Sequence, residues 1–446
     1  MKLINKINAD TFKKLQFSEK VKIGTHLSII LIGIIIFGSC SLSKKSSKQL
    51  SFDLLYNPSP ITLFPDLQVY SETENTSTVY FRIPQEDLLF NQANEENRLQ
   101  SQIKIAYNLF EASEKLMPVD SSIINKSIEK DPSVEFHYIE FTIAAKKGKS
   151  YFLEVIIEDQ NRKSNRTYFR SVNRTKDYNQ QDFKITNPLS GELSFDPYIR
   201  TNKAFSIKHY NQKFDSLQVL FYKKDFSIPL APSRTENLTD SFNTPDTIFI
   251  CYIDSIDFTN FEKEGIYYFS PSNYSDNGFS LFNFGPSFPN VVNPCELIEP
   301  LGYLASINNC SNDTTNGRQT KLAVDNFWLS RAKNINRSRD LIKLFYTRVK
   351  YANIFFTSYK PGWQTDRGMI YIVYGQPDYL YKSVNEERWI YNPRDLGTGI
   401  IFNFENITHS FSTNHFELNR AKQKNTGWDD AVKLWNSGEV YYYQPY

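Results

Sequence analysis

Between Ile103 and Leu109 the residues Ile103, Ile105, Tyr107 and Leu109 alternate with Lys104, Ala106 and Asn108. That two-residue period is the mark of a strand with one face in a core and the other in water. Thr78 to Ile83, ending at Pro84, Glu135 to Ile143 and Tyr151 to Glu158 are likewise rich in β-branched and aromatic residues. The segment Ala144-Ala145-Lys146-Lys147-Gly148-Lys149-Ser150 between the last two predicts a hairpin turn. Short strands with turn signals and little helix predict a β-sandwich of immunoglobulin-like architecture over residues 51–182. The cysteine and tryptophan marks of antibody domains are absent, so the likeness is one of architecture.

Residues 183–294 repeat the pattern as a second β domain. Leu217 to Tyr222, Thr247 to Ile253 and Ile266 to Phe269 read as strands, and Pro229, Pro232, Pro245 and Pro271 break them. The character changes in the third domain, 295–446. There Leu322, Phe327, Leu329, Ile335, Leu341, Ile342, Phe345 and Val349 fall at helical spacings, predicting a helix or helix pair from about Leu322 to Phe356. Met369 to Tyr374 is an uninterrupted apolar run, expected for a strand covered on both faces. Arg388 to Tyr391 and Ile400 to Phe404 add strands. The whole reads as mainly β with a C-terminal α+β domain. A hydrophobic content of 40% lets such domains bury cores, which excludes a disordered chain. With 51 basic and 49 acidic side chains the net charge is +2, so there is no general electrostatic grip on nucleic acid.

Residues 1–39 stand apart. Lys2, Lys6, Lys13, Lys14, Lys20 and Lys22 precede an apolar run from Leu27 to Phe37, followed by Gly38-Ser39-Cys40. The run is too short for a helix that needs ~20 residues to cross a bilayer. A basic stretch, a short apolar stretch and small residues are the parts of a secretory signal. The segment resembles a bacterial lipoprotein signal, which implies that Cys40 becomes a lipidated N-terminus; an uncleaved anchor is the alternative. Removing 1–39 takes six basic and two acidic side chains, leaving 45 and 47. A nearly neutral body has no reason to lie on an anionic membrane, so the lipid would be the attachment, and residues 40–50 a polar tether. Cys295 and Cys310 could close a short loop as a disulfide in an oxidising compartment, and Cys251 in Ile248-Phe249-Ile250-Cys251-Tyr252-Ile253 reads as a buried thiol.

The densest signal is Pro361-Gly362-Trp363-Gln364-Thr365-Asp366-Arg367-Gly368-Met369-Ile370-Tyr371-Ile372-Val373-Tyr374-Gly375-Gln376-Pro377-Asp378. Phe327-Trp328, Asn336, Arg348, Tyr351-Ala352-Asn353, Phe356 and Trp389-Ile390-Tyr391 surround it. Here the chain resembles the GWxTD-domain lipoproteins of Bacteroidetes, over roughly residues 295–446. The resemblance implies an envelope lipoprotein of β domains ending in this module, and brings no reaction or ligand with it. Bacteroidetes lipoproteins displayed on the cell surface often carry acids just after the lipidated cysteine. Ser41 to Gln49 has none, which favours the periplasmic side of the outer membrane.

The motif also has a physical reading. Gly362 is expected in a positive-φ turn after Pro361, with Gly368 and Gly375 bracketing the strand where the chain bends. Trp363 is expected to fill the gap between helices and sheet, and Thr365 and Asp366 to fix the turn through local bonds. Arg367 would pair with Asp366, Asp378 or Glu387. Tyr371, Tyr374, Pro377 and Asp378 complete a set that reads as a structural staple or as a partner-contacting surface.

Chemistry-bearing patterns are sparse. There is no His-Glu-x-x-His, no Gly-x-Ser-x-Gly and no P-loop. His409, His415 and Glu417 are the one set to weigh for a metal, although their spacing repeats no known site. Trp428 and the pair Asp429-Asp430 read as a C-terminal helix, and Tyr441 to Tyr446 as a last strand or a docking tail. The expectation is therefore a non-enzymatic, lipid-anchored, periplasm-facing scaffold or adaptor of an outer-membrane complex. It would have protein partners, no cofactor, no metal and no nucleic acid. The alternatives are a glycan- or peptide-binding lipoprotein and, third, a metal-dependent hydrolase.

Overall fold

In the computed structural model of the chain, alternation becomes sheet. The structure describes residues 53–57, 63–93, 98–112, 117–199, 204–211, 215–223, 226–236, 240–242, 244–253, 261–271, 277–306, 317–383, 385–391, 399–423 and 426–441. The readings of Cys40, the tether, Cys310 and Tyr442 to Tyr446 lie outside them. Cys295 is disulfide-bonded, and Cys251 is a buried thiol as expected. None of the described helices is long and apolar enough to cross a membrane.

The first sheet runs β1 (Asp66–Ser71), β2 (Ser77–Pro84), β6 (Phe136–Ile143). The second is centred on β4 (Leu99–Glu111), which pairs with β3 (Gln92–Ala93), β5 (Pro118–Glu129) and β7 (Ser150–Asp159); β8 (Ser164–Asn173) lies beyond β7. Ile103, Ile105, Tyr107 and Leu109 face Val79, Phe81 and Ile83 across a shared core, as their alternation requires. The turn expected between β6 and β7 is not a hairpin. β6 pairs with β2 and β7 with β4 and β8, so residues 144–149 cross from one sheet to the other. A hairpin needs ladder partners on adjacent edges, whereas this connection spans the ~10 Å between stacked sheets.

A second core joins a ribbon of β9 (Phe183–Thr186) and β10 (Ser206–His209) to a four-stranded sheet ordered β12 (Thr247–Tyr252), β11 (Ser216–Lys223), β13 (Gly265–Ser270), β14 (Phe279–Asn283). The C-terminal region is α+β. Its helices are α1 (Pro294–Ile298), α2 (Gly317–Arg331), α3 (Ile335–Phe356), α4 (Asp366–Tyr374) and α5 (Trp428–Asn436). Its sheet is a meander of β15 (Tyr379–Lys382), β16 (Glu386–Tyr391), β17 (Ile400–Asn406) and β18 (Phe416–Leu418). α2 and α3 are the expected pair. α3 starts at an Asn334 cap and buries Leu341, Phe345, Val349, Ala352 and Phe356 on one stripe.

The run Met369 to Tyr374 is a helix, not the expected strand. All nine residues of α4 are buried, so its run Met369 to Tyr374 is covered on every side and shows no polar face to mark a helical period. Thr365 caps its start, its side chain accepting from the Gly368 N–H, and Gly375 ends it at φ +85°. Those end signals decide against the β-branched and aromatic composition.

One contact crosses the expected domain boundaries. A 3-10 turn at Asp53–Tyr56 precedes the first sandwich, yet Tyr56 lies in the C-terminal core with Phe356, Tyr371 and Trp389. Arg166 of β8 donates to the Leu55 carbonyl at 2.7 Å, and Tyr371 of α4 donates to the Tyr56 carbonyl at 3.2 Å. Tyr56→Ala should therefore destabilise the C-terminal region by ~3–5 kcal/mol, the range for deleting a buried large aromatic. Hydrogen exchange should show the loss in α4 and β16, far from the substitution in sequence.

Candidate functional site

The motif is built on backbones in contact. A 3-10 turn at Gly362–Gln364 lies on α3, and a Cβ at Gly362 would sit 1.9 Å from the Ala352 carbonyl oxygen. A Cβ at Gly368 would sit 1.9 Å from the Gly362 oxygen. No L side chain fits either place. The expected positive φ at Gly362 is absent, since it is not among the residues with that conformation; close approach is what demands glycine there. Gly375 has both constraints: its φ is +85°, and a Cβ there would meet the Arg348 guanidinium at 2.7 Å.

Around this contact most polar groups of the motif have partners inside the protein; Gln364 Oε1 and Arg367 Nε are buried without a hydrogen bond. The Trp363 N–H donates to Asn353 Oδ1 at 3.0 Å, and its carbonyl accepts from the Tyr303 hydroxyl at 2.7 Å. Its ring packs edge-on against Tyr303, so Trp363 fills a gap among helical elements. The other amide end of Asn353 donates to the Pro289 carbonyl at 2.9 Å, tying α3 to the segment after β14. The Thr365 hydroxyl donates to Gly362 O at 2.7 Å. Asp366 takes a two-pronged bond from Arg420 at 2.7 and 3.0 Å and the Leu418 N–H at 2.7 Å.

At the far end of α4, Arg348 donates to the Ile372 and Val373 carbonyls at 3.0 and 3.1 Å. Trp435 also donates to Val373 O, Tyr391 to Gly375 O and Tyr374 to Thr426 O. A buried helix end needs such partners. Pro377 is buried behind it, and the Asp378 N–H joins the Ile390 carbonyl at 2.9 Å.

Of the three acids open to Arg367, Glu387 is the partner, at 3.0 Å with both side chains almost wholly buried. Arg367 also donates twice to Asn414 at 2.8 Å and lies over the Phe416 ring at 4.2 Å. Glu387 further accepts from Lys382, from the Tyr56 hydroxyl at 2.7 Å and from Trp389 Nε1 at 3.1 Å. Burial pushes its carboxyl up, but Lys382 and Arg367 outweigh that and bring it down to about 2. The same burial, with Glu387 beside it, raises the Tyr56 hydroxyl well above its usual range.

His409 and His415 come together, their rings edge-on at 5.9 Å. His415 Nε2 meets Glu417 Oε1 at 3.2 Å, while the His409 ring stacks on Tyr359 at 4.1 Å. Burial, then the neighbouring His415, lowers His409 to about 4. Among the described residues no three His, Cys, Asp or Glu side chains are grouped to hold a metal ion. Beside them Lys360 pairs with Asp240 at 3.0 Å, both buried. A cavity of about 20 Å³ lined by Lys360, Asp366, His415, Glu417 and Arg420 has room for about one water.

Sequence reasoning offered Glu387 for Arg367 and named Arg348 and Asn353 around the motif. It missed Arg420, Asn414 and Tyr56, which reach the site from distant segments with no local pattern to announce them.

Glu387 is ionised in the folded protein down to about pH 2, against 4.5 ordinarily. The stability it contributes is present above pH 4.5 and lost as the pH falls from there toward 2. Glu387→Gln leaves Arg367 and Lys382 without a counter-charge and should cost ~3–5 kcal/mol at neutral pH. Denaturant melts across pH should show the gap between wild type and variant constant above 4.5 and narrowing below. A gap that does not narrow would contradict this account of the pair. Gly368→Ala should destabilise by at least ~1–3 kcal/mol through overpacking against backbone, measured in the same melts.

No curated protein matches the chain. Two solved β-glucuronidase structures from Bacteroides uniformis match weakly. One is 11% identical and the other, β-glucuronidase 2 covalently bound to cyclophellitol-6-carboxylate aziridine, 10% identical. Each match covers 31% of this chain and 15% of that chain at a TM-score of 0.17, a likeness that carries no argument. The family model for the GWxTD domain matches residues 265–437. It begins at β13, earlier than the expected 295, and so takes in Ile266, Tyr268, Phe282 and Phe284, which share an aromatic core with Tyr359 and Phe411. Sequence motif and family model agree: the chain carries a GWxTD domain at residues 265–437.

Proposed function

We propose that this chain is a lipid-anchored, periplasm-facing scaffold or adaptor of an outer-membrane protein complex, and that it is not an enzyme. The observation that carries the reading is where the motif's polar groups go. Thr365, Asp366 and Arg367 bond to Gly362, Arg420, Leu418, Glu387 and Asn414 inside the protein. Groups committed in this way hold a shape; they are not presented to a substrate. The side chains weighed for hydrolysis are engaged with one another and with their neighbours, His415 with Glu417 at 3.2 Å and His409 stacked on Tyr359. Sheets packed over buried cores suit protein contacts, and the lipid at Cys40 supplies the attachment.

Three measurements test this. Labelling cells with a tagged fatty acid should mark the wild type and not Cys40→Ala; equal labelling would refute the anchor. Added protease should spare the protein in intact cells and digest it after outer-membrane permeabilisation, with digestion in intact cells placing it on the surface. Purification of the full chain in mild detergent should recover protein partners in fixed stoichiometry. Recovery alone, with a hydrolytic activity abolished by His415→Ala, would overturn the scaffold reading.

A further inference from the structure

β5 is a long strand with one partner. It pairs with β4 and with no other strand among the described residues. Its side chains from Val119 to Ser127 are exposed on both faces apart from the half-buried Asp120 and Ile124, so it overhangs the sandwich core. Ile123 is 61% exposed and Val119 51%. An open edge is a template for another strand unless something blunts it; a bulge at Val119 beside Pro118 interrupts its start, and from Ser121 to Ser127 the one charge is Lys126.

We propose that this edge pairs antiparallel with β5 of a second copy of the chain, Ile123 opposite Ile123. The register follows from symmetry. A two-fold axis normal to a continuous sheet keeps each side chain on its own face, so residue i must oppose a residue of the same parity. Centring on Ile123 sets Asp120 opposite Lys126 twice and Ser121 opposite Asn125; the Asp120 carboxylate is held in place by the Ala144 N–H at 2.8 Å and the Tyr107 hydroxyl at 3.3 Å. Centring one residue either way sets Asp120 opposite Ile124 or Ile128 and leaves Lys126 opposite Pro118 or Ser122. Only the first register converts the edge's own charge into a complementary pair.

The outer face agrees. Ala106 lies beside Ile123 on one side and Ile156 on the other, and Ile156 is 36% exposed. The pairing therefore joins Ile156, Ala106 and Ile123 to the same three residues of the second copy in one apolar row across the two sheets. A strand pair alone buries less than a standard interface, so the dimer should be weak and dependent on concentration. The inference does not rest on the scaffold reading.

Cysteine pairing tests it on the full chain. Residues directly opposite in an antiparallel pair have Cα atoms about 4.5–5.5 Å apart, within disulfide reach. Ile123→Cys should give a disulfide-linked dimer under mild oxidation. Asn125→Cys, whose twin lies four residues along the strand, should give no more than the wild type. Lys126→Glu, on an exposed side chain, should weaken dimerisation in sedimentation about tenfold by placing like charges opposite each other twice. Equal cross-linking at positions 123 and 125 would overturn the register. A chain that stays monomeric at all concentrations, or an edge occupied by a peptide of another protein, would overturn the second copy as occupant.

Discussion

The Ala352 carbonyl meets Gly362, and the Gly362 carbonyl meets Gly368, with no side chain between them. This backbone contact presses α4 against α3 so closely that all nine of its residues leave water. A helix so placed cannot use solvent for its terminal N–H and C=O groups, so each end must find partners within the protein. Thr365 serves the first turn, and Arg348 and Trp435 serve the last carbonyls. Much of the motif's chemistry follows from the two glycines: they create the burial, and the polar residues around them satisfy what burial strands.

Charge follows the same logic. Arg367 enters the core because it opens α4 on the side facing β16, and an unpaired guanidinium there would be costly. Glu387 answers it from β16, Tyr56 and Lys382 complete the acid's bonds, and Asn414 takes the other guanidinium edge. A well-packed apolar set could match such a cluster for stability. What it could not match is direction. The cluster admits one relation among α4, the β15–β16 hairpin and the turn at 53–56, because each bond points at a single atom.

How much of this was legible in the sequence depended on where the deciding signal lay. β2, β4 and β7 announce themselves, since each has one face in a core and carries the period within its own residues. α4 hid its class because full burial erases periodicity, and its composition favours strands; only Thr365 and Gly375, at its two ends, spoke for a helix. The 144–149 connection reads as a hairpin because neighbouring strands usually pair, whereas β6 takes β2 as its partner. Arg367 could be assigned to one of three acids but no further. Arg420 and Tyr56 were silent, since nothing near either residue in sequence reflects an atom it will meet after the chain has folded.

Tyr56 also separates the module written in the sequence from the module that packs. The GWxTD match runs from 265 to 437, yet the core of that region contains a ring from residue 56, whose hydroxyl reaches an acid 331 positions away. Arg166 of the first sandwich holds the same turn by its Leu55 carbonyl. On the other side, Arg420 donates to the Leu230 carbonyl and Lys360 pairs with Asp240, so the second β region closes the flank of the motif. The C-terminal core is thus completed by a segment from near the other end of the chain. Residues 265–437 taken alone would keep the glycine contact and lose the ring and hydroxyl that finish the Glu387 cluster, leaving a cavity beside a buried charge.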